Sequence, residues 1–434
     1  MKRFALHTLG CKVNQFESDC LQERLANAGW TLVPFGEEAE VYVVNTCAVT
    51  AEGQRQSAQM LRSARRRSPQ ARVIAAGCAV QVYPDYFRKI EGLDAFVGNF
   101  EKMASVFRLV VDRTFEFTVR EAPIPPGGSL SLECPISARR SRALFRIQEG
   151  CDSRCSYCLV PAARGPSRSL APEKVLEGLH RLAGQGVPEI ILTGIHLGQY
   201  GRDLGPEWTL SGLLGQVLRE TDLPRLRLSS LEMEEITPGL IALFQQDRGL
   251  CPHLHIPLQS GDDRILTAMN RSYTTSAYKK LLHRLRETLP LAALGADIIV
   301  GFPGEDEDSF QRTLDFLTGL PLSYLHVFPF SPRPGTPAAL FPNQVPSAVR
   351  KERARRLRDL DQEMRRRFLE LNLGQEAEAV VLGSAGTEGL VPVLTENYLT
   401  VQVQGPLGSE EIIRVRIIGC LGPDLVGERV ARRE

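Results

Sequence analysis

The chain has 434 residues, of which 43% are hydrophobic and 24% charged, and its formal net charge is +1. A chain of this length exceeds what one hydrophobic core supports, so several domains are expected. No apolar segment is long enough for a signal peptide or a membrane span, which predicts a cytoplasmic protein with no membrane partner. Because reducing compartments disfavour disulfides, the ten cysteines indicate metal binding or catalysis rather than a disulfide scaffold.

The first hundred residues repeat a strand, loop and helix pattern. The strand-like segments are KRFALHT, VYVVNT and RVIAAG, and the helix-like segment ESDCLQERLANAG ends on a glycine. This alternation predicts a parallel sheet covered by helices over residues 1–112. The Pro/Gly/Ser content of APIPPGGSLS then predicts a linker over residues 113–138.

The alternation resumes at residue 139 and continues to residue 370. Six strand-like segments occur there: ALFRIQ, EIILTG, RLRLSS, HLHIPL, ADIIVG and YLHVFPF. Six βα units predict a partial (βα)6 barrel rather than the complete eightfold one. Residues 371–434 alternate apolar and polar positions between glycines, which predicts a small antiparallel β-barrel or sandwich. The fold class is therefore α/β with a C-terminal β module.

Basic residues are clustered although the net charge is close to zero. The segment from Arg350 to Arg367 carries nine Lys/Arg and four acidic residues, and shorter arginine clusters surround Arg65 and Arg140. Such surfaces suit a phosphate backbone. A solvated helix face explains each run equally well when it is taken alone.

Three cysteines lie within eight residues in QEGCDSRCSYCLVPAARG, at Cys151, Cys155 and Cys158. Soft thiolate ligands select zinc, copper(I) or iron–sulfur clusters. Structural zinc normally has four ligands, but the loop contains no histidine and no second cysteine pair. A cubane iron–sulfur cluster suits three cysteines better, because its fourth iron stays open to a small molecule. The triad follows the first predicted barrel strand, so it lies at the rim where barrel enzymes build their sites.

A second set of cysteines shares one local context. Cys11, Cys47 and Cys78 each come just after a strand-like segment, and Gly10 and Gly77 allow tight turns before two of them. Since the carboxyl ends of parallel strands share one edge of a sheet, these three thiols are expected to converge. Buried cysteines are also common in cores, but a threefold recurrence favours a site. The remaining cysteines lack this context; Cys20, Cys251 and Cys420 are interpreted as structural, and Cys134 stays undecided.

At the central triad the sequence resembles the radical S-adenosylmethionine (SAM) superfamily, whose motif has an aromatic residue before the last cysteine, here Tyr157. The resemblance implies that SAM chelates the open iron and is cleaved by one electron to methionine and a 5′-deoxyadenosyl radical. It also implies that strand-end segments line the SAM and substrate pocket. The polar candidates there, besides Tyr157, are Thr193, Gln259, Ser260 and Asp297.

Over essentially its full length the chain resembles the methylthiotransferase family within that superfamily. The matching segments include TLGCKVNQFESD, VNTCAVT, GCAVQ, HLHIPLQSGDDRILTAMNR and DIIVGFPGEDEDSF, and the C-terminal module resembles a TRAM domain, an RNA-binding module. The resemblance implies two 4Fe-4S clusters. Cys11, Cys47 and Cys78 would hold a sulfur-carrying cluster that accepts a methyl group from one SAM, and the central triad would hold the cluster that cleaves a second SAM. Both clusters must then face a common cavity.

The segments GCKVNQFES, TGIHLGQYG and HVFPFSPRPGTPAA most resemble the branch that acts on N6-threonylcarbamoyladenosine beside the tRNA anticodon, at carbon 2 of the base. The expected partners are therefore tRNA and an electron donor that the sequence does not identify. Alternatives within the family are isopentenyladenosine in tRNA and a ribosomal protein side chain. An alternative from another class is a non-catalytic RNA-binding protein that contains structural zinc.

Overall fold

The computed structural model describes residues 2–112, 119–120, 130, 141–246, 249–383, 389–408, 412–421 and 424–431. Most of the predicted linker 113–138, including Cys134, and part of the arginine cluster around Arg140 lie outside the described residues. Among the residues that are described, no helix is both long and apolar enough to span a membrane.

The N-terminal region is a six-stranded parallel sheet with helices on both faces. Its strands follow the order β2-β1-β3-β4-β5-β6. The strands are β1 (Lys2–Thr8), β2 (Trp30–Val33), β3 (Val41–Thr46), β4 (Arg72–Gly77), β5 (Ala95–Val97) and β6 (Val119–Arg120). The helices are α1 (Lys12–Asn27), α2 (Ala51–Arg67), α3 (Cys78–Val82), α4 (Pro84–Arg88) and α5 (Lys102–Val111).

Successive side chains of a strand point to opposite faces of this sheet, so each face packs against its own set of helices. Val43 packs in one core with α1 and α5, whereas its neighbour Val44 packs with α2 and α4 on the opposite face. All six residues of β3 are buried because this strand lies in the interior of a sheet that is covered on both sides. The three predicted strands are confirmed as β1, β3 and β4.

The central region is a partial barrel of six parallel strands, as predicted. Its backbone hydrogen bonds form two parallel sheets, β11-β10-β7 and β12-β13-β14, and a parallel bridge between Leu226 and Leu250 continues the wall between them. The barrel strands are β7 (Arg142–Arg146), β10 (Glu189–Thr193), β11 (Leu226–Leu228), β12 (His253–His255), β13 (Ala293–Val300) and β14 (Tyr324–Pro329). The short strands β8 (Gln148–Glu149) and β9 (Arg168–Ser169) form a separate antiparallel pair.

Helices surround this barrel between its strands. They are α6 (Val160–Arg164), α7 (Pro172–Gly184), α8 (Leu210–Glu220), α9 (Pro238–Phe244), α10 (Asp263–Ala268), α11 (Thr275–Thr288), α12 (Glu307–Thr318) and α13 (Ser347–Asn372). Within the described residues β7 pairs with β10 alone and β14 with β13 alone, so the wall is open between β7 and β14. Helix α1 of the N-terminal sheet packs against β7 and so lies at this opening.

The C-terminal region is a closed barrel in the order β15-β16-β17-β19-β18, mainly antiparallel. Its strands are β15 (Glu376–Val381), β16 (Leu390–Thr395), β17 (Thr400–Gln404), β18 (Ile412–Leu421) and β19 (Asp424–Val430). It docks on the amino-terminal ends of the central strands, where Arg227 Nη1 donates to the carbonyl of Glu396 at 2.9 Å and Asn397 Nδ2 to that of Leu291 at 2.9 Å. The carboxyl-terminal rim of the central barrel lies at the other end and contacts the N-terminal region, where the Tyr83 hydroxyl donates to Pro334 O at 2.9 Å.

Candidate functional site

The N-terminal triad is assembled by three strands that are adjacent in the sheet. Cys11 caps α1 after β1, Cys47 follows β3, and Cys78 begins α3 directly after β4. Gly10 has a φ of 98°, and a side chain there would come within 2.9 Å of Cys47 Sγ. The chain thus needs glycine at this position both for its backbone conformation and for the contact that brings Cys11 beside Cys47.

The thiols of this triad influence one another electrostatically. Burial, together with the neighbouring Cys78 and Cys11, raises the pKa of Cys47 to about 11. Desolvation also raises the pKa of Cys11, and the neighbouring Cys78 contributes to this increase. Since a metal ligand must be a thiolate, metal binding at this site releases protons.

A cation from the central barrel reaches the N-terminal triad. Arg164, the last residue of α6, donates from Nε to Cys78 Sγ at 3.2 Å, and Asn99 Nδ2 donates to the same sulfur at 3.4 Å. Donors of this kind stabilise a thiolate and a negatively charged cluster. Arg164 was not among the predicted site residues, and its only signal in the sequence is its place six residues after Cys158 in the same motif.

Arg164 is the centre of a buried charge network between the two domains. Its Nη1 lies 2.8 Å from Glu149 Oε1 and 3.2 Å from Glu17 Oε1 of α1, and its Nη2 donates to Asn14 Oδ1 at 2.5 Å. Lys102 adds a second cation 2.5 Å from Glu17 Oε2. Burial opposes ionisation of Glu17, but Arg164 and Lys102 outweigh it and lower its pKa. The network therefore fixes the N-terminal thiols relative to the central loop.

The central triad lies in the loop between β8 and α6, at the carboxyl-terminal rim of the barrel. The backbone N–H of Cys151 donates to Gly165 O at 3.0 Å, and that of Cys158 donates to Cys155 O at 3.1 Å. Ser156 ties the loop to the end of α10 by donating from Oγ to Ala268 O at 2.8 Å. These bonds hold three side chains that are close in sequence in one defined arrangement.

Each central thiol has a polar neighbour. Arg271 Nη1 donates to Cys155 Sγ at 3.4 Å, the Val160 N–H donates to Cys158 Sγ at 3.4 Å, and His196 Nδ1 lies 3.3 Å from Cys151 Sγ. Burial, together with the adjacent Cys155 and Cys151, raises the pKa of Cys158 to about 12. Arg271 is in turn ion-paired with Glu232.

Neither triad has the dimensions of a single-ion site. Tetrahedral zinc with ligands at 2.3 Å requires sulfur atoms about 3.8 Å apart. Among the residues that the structure describes, only His255, Asp297 and His326 have three ligand atoms within 4.8 Å of one another. Each cysteine triad is thus more widely spaced than one zinc ion requires and is consistent with a multinuclear cluster held by three thiolates. This geometry disfavours the zinc-containing alternative.

One cavity borders both triads. Its volume is about 240 Å³, and its wall includes Cys78 of the N-terminal triad and Cys158 of the central one. Of the predicted pocket residues, Tyr157, Gln259 and Asp297 also line it. Apolar walls are supplied by Ile299, Phe328 and Phe330.

The other two predicted pocket residues do not line this cavity. Thr193 ends β10 as a buried residue whose carbonyl accepts from the Ile147 N–H. Ser260 is buried behind the wall, where its hydroxyl accepts from the Asp262 N–H at 3.3 Å and lies 3.5 Å from Thr313 Oγ1. The preceding residue, Gln259, has a φ of 72° and lines the cavity instead. A strand-end motif in the sequence does not reveal which of two successive side chains points inward.

A polar network that was not predicted from the sequence extends from Asp297 into the barrel. Asp297 Oδ1 lies 2.9 Å from His255 Nε2 and 3.2 Å from His326 Nδ1, and the hydroxyl of Tyr324 lies 3.1 Å from His255 Nδ1. Burial opposes ionisation of Asp297, but the two histidines lower its pKa. The cavity therefore contains a carboxylate that contacts two histidines of the neighbouring strands.

The remaining cysteines stand apart from both triads. Cys20 is buried on α1, Cys251 is buried beside Glu189, and Cys420 is exposed on β18 of the C-terminal barrel. Their structural role stays a prediction, and Cys134 lies outside the described residues.

A partial six-stranded barrel with a C-x3-C-x2-C loop at its carboxyl-terminal rim defines a radical SAM enzyme. Residues 145–317 match the radical SAM superfamily, and residues 3–98 match the uncharacterized protein family UPF0004. The radical SAM methyltransferase TsrM from Kitasatospora setae, solved with cobalamin and a 4Fe-4S cluster bound, has the same fold. Its TM-score is 0.57 at 17% identity, over 78% of this chain and 77% of that one.

Three relatives of known sequence indicate to which family of radical SAM enzymes the chain is similar. The threonylcarbamoyladenosine tRNA methylthiotransferase MtaB of Aquifex aeolicus is 36% identical over 96% of this chain and 100% of its own length. The MtaB of Bacillus subtilis is 35% identical over 96% of this chain and 94% of its own length. The tRNA-2-methylthio-N(6)-dimethylallyladenosine synthase of Moorella thermoacetica is 33% identical over 89% and 88%, respectively.

The chain belongs to the tRNA methylthiotransferase family of radical SAM enzymes. The family predicted from the motifs is confirmed, as are its cofactors, SAM and 4Fe-4S clusters. Two thiol triads beside one cavity agree with a reaction that needs a SAM-cleaving centre and a sulfur-carrying centre close together.

Proposed function

We propose that this enzyme converts N6-threonylcarbamoyladenosine beside the tRNA anticodon to its 2-methylthio derivative in the cytoplasm. The observation that carries the proposal is the cavity of about 240 Å³ whose wall contains one cysteine from each triad. Carbon 2 of the base would lie in this cavity between the two centres. The choice of base is supported by the MtaB relatives of Aquifex aeolicus and Bacillus subtilis, which match nearly the full chain.

In this proposal Cys151, Cys155 and Cys158 hold the SAM-cleaving 4Fe-4S cluster, and Cys11, Cys47 and Cys78 hold the second one. When bound, the clusters would supply the electron for SAM cleavage and the sulfur for transfer. Arg164 and Arg271 each donate to a cysteine sulfur of one triad, which favours the thiolate form. The electron donor has no assigned docking surface.

The cavity wall suits a flat aromatic ligand. Phe328 is 44% exposed in the structure although it belongs to a barrel strand, and it lines the cavity together with Tyr157 and Cys158. An exposed aromatic face can stack on a nucleobase whatever its substituents. Gln259 and Asp297 supply the hydrogen-bonding groups of the same wall. We infer that these residues orient the base and SAM within the chamber.

The basic helix α13 and the C-terminal barrel are the proposed RNA-binding surfaces. Many α13 arginines form ion pairs on the helix surface, as Arg355 does with Glu352 and Asp359, but Lys351 and Arg358 are exposed. Exposed ion pairs contribute little free energy, so these arginines are able to exchange a carboxylate for a phosphate. Tyr398 packs on His253 at the interface between the barrels, which leaves the C-terminal barrel without this ring for base stacking.

The test is nucleoside analysis by mass spectrometry. Anaerobically reconstituted enzyme, SAM, a reductant and tRNA that carries threonylcarbamoyladenosine are expected to yield the 2-methylthio nucleoside. Cys47→Ala should abolish the product, whereas Cys420→Ala, which changes an exposed cysteine of the C-terminal barrel, should not. Product from isopentenyladenosine tRNA alone would contradict the proposed substrate, and a colourless zinc protein without iron would contradict the enzyme class.

A further inference from the structure

The proposed substrate differs from the prenylated one in charge. The threonylcarbamoyl group ends in a carboxylate, whereas a dimethylallyl group is apolar and uncharged. An enzyme that prefers the first should therefore offer a cation near the base, and this cation must not already be neutralised by the protein. This inference rests on the proposed function and asks which residue of the same site recognises the carboxylate.

Most cations beside the two triads already have partners. Arg146, Arg164 and Lys102 form ion pairs with Glu17 and Glu149, Arg271 with Glu232, and Arg142 with Glu189. His326 faces Asp297 with its Nδ1. Arg333 is 3% exposed and is held by Gln54 and the ring of Tyr83, so a ligand has no access to it. None of these groups is free to bind an incoming anion.

Lys12 is different. It follows the N-terminal triad's Cys11 directly, as the first residue of α1, and its side chain is exposed. In the part of the chain that the structure describes, no carboxylate lies within ion-pair distance of its ammonium group. An exposed and unpaired lysine therefore stands beside the site where the sulfur-carrying centre is proposed.

The side chain of Lys12 is on the side of α1 that faces the central barrel. Residues four apart lie on the same face of a helix, and Phe16, four residues on, lies against the guanidinium of Arg146 on β7 at 5.5 Å. The charge of Lys12 also reaches the opposite wall, since it contributes, after burial, Arg227 and His255, to the lowered pKa of His253 on β12. The opening between β7 and β14 is where α1 packs. Both observations indicate that Lys12 lies on the side of α1 that faces the central barrel.

We propose that Lys12 binds the carboxylate of the N6-threonylcarbamoyl group and so selects this nucleoside over one with an uncharged N6 substituent. A base whose carbon 2 lies in the cavity between the two centres would present its N6 substituent several bonds away, and Lys12, next to Cys11, would extend its long side chain to this substituent. A hydrogen bond to a charged group changes affinity by roughly 10- to 100-fold, which sets the expected size of the preference.

The experiment compares two anticodon stem–loop RNAs that differ only in the threonyl group, which ends in a carboxylate in one and in a carboxamide in the other. Wild-type holoenzyme should have a kcat/KM about 10- to 100-fold higher for the carboxylate RNA, mostly through KM. Lys12→Met should lower this ratio to about one while its iron content equals that of the wild type. Lys12→Arg should retain most of the preference. Lys279→Met, at an exposed lysine of α11, is the matched control and should keep the full ratio.

A Lys12→Met enzyme that keeps the wild-type preference would overturn the inference but not the proposed function. An equal loss on both RNAs would also overturn it, because that pattern indicates a contact with the RNA backbone or support of the cluster. A wild-type enzyme that methylthiolates neither RNA, but acts on isopentenyladenosine, would overturn the proposed function and the inference with it.

Discussion

The N-terminal triad takes its cysteines from the ends of three separate strands, whereas the central triad takes all three from one loop of eight residues. The central loop is held by its own backbone and by α10, close to the site. The N-terminal triad needs the order of a sheet and, in addition, Arg164 from the neighbouring domain. In the proposed assignment, the sulfur-carrying centre thus depends on domain docking, whereas the SAM-cleaving centre is formed largely by local structure.

The largest effect is expected from replacing Arg164, the residue of the central region that contacts a thiol of the N-terminal triad. Arg164→Met leaves Glu17 and Glu149 buried with fewer counter-charges and should destabilise the protein by about 3–5 kcal/mol. Methylthiolation should fall by more than SAM cleavage, because Arg164 touches a thiol of the N-terminal triad and none of the central one. Denaturant unfolding and the yields of product and 5′-deoxyadenosine measure the two effects.

Arg181→Met serves as the control for this variant, since Arg181 is an exposed arginine of α7 paired with Glu177. It should change the stability by less than ~1 kcal/mol. Equal losses of methylthiolation and SAM cleavage in Arg164→Met would contradict this prediction, because both triads would then depend on domain docking to the same extent.

A second buried charge network, which contains no residue of either triad, extends this comparison because its stability depends on pH. Glu189 accepts hydrogen bonds from Arg142 and Arg227 and pairs with Arg225 near the C-terminal barrel. Burial opposes its ionisation, but these arginines lower its pKa from 4.5 to about 2. Ionised Glu189 therefore stabilises the fold fully above pH 4.5, and this contribution disappears as the pH falls to about 2.

At neutral pH the Glu189→Gln variant should be less stable than the wild type by about 3 kcal/mol, the free energy that corresponds to this pKa difference. The gap between the two denaturation curves should narrow as the pH falls from 4.5 toward 2. The iron content of both centres should remain that of the wild type at neutral pH. A gap that is constant over this pH range would mean that the Glu189 charge contributes nothing.

The parts of the molecule that could be predicted from the sequence are those with a local pattern. Cysteines that follow strand-like segments, and the C-x3-C-x2-C spacing, each lie within a dozen residues. By contrast, Arg164 and Glu17 are 147 residues apart and meet only when the domains dock. Asp297 and His326 become neighbours through the register of β13 with β14. The strands β2 and β5 are not evident in the sequence because they have only four and three residues.

The central claim is that two triads hold separate clusters with different tasks around one chamber. Its most direct test compares Cys47→Ala with Cys151→Ala in anaerobically reconstituted enzyme, by iron content and by 5′-deoxyadenosine formed from SAM. Each variant should lose about half of the iron, since each triad holds one cluster. Cys47→Ala should still cleave SAM without making methylthiolated product, and Cys151→Ala should do neither. Equal loss of SAM cleavage in the two variants would contradict the account.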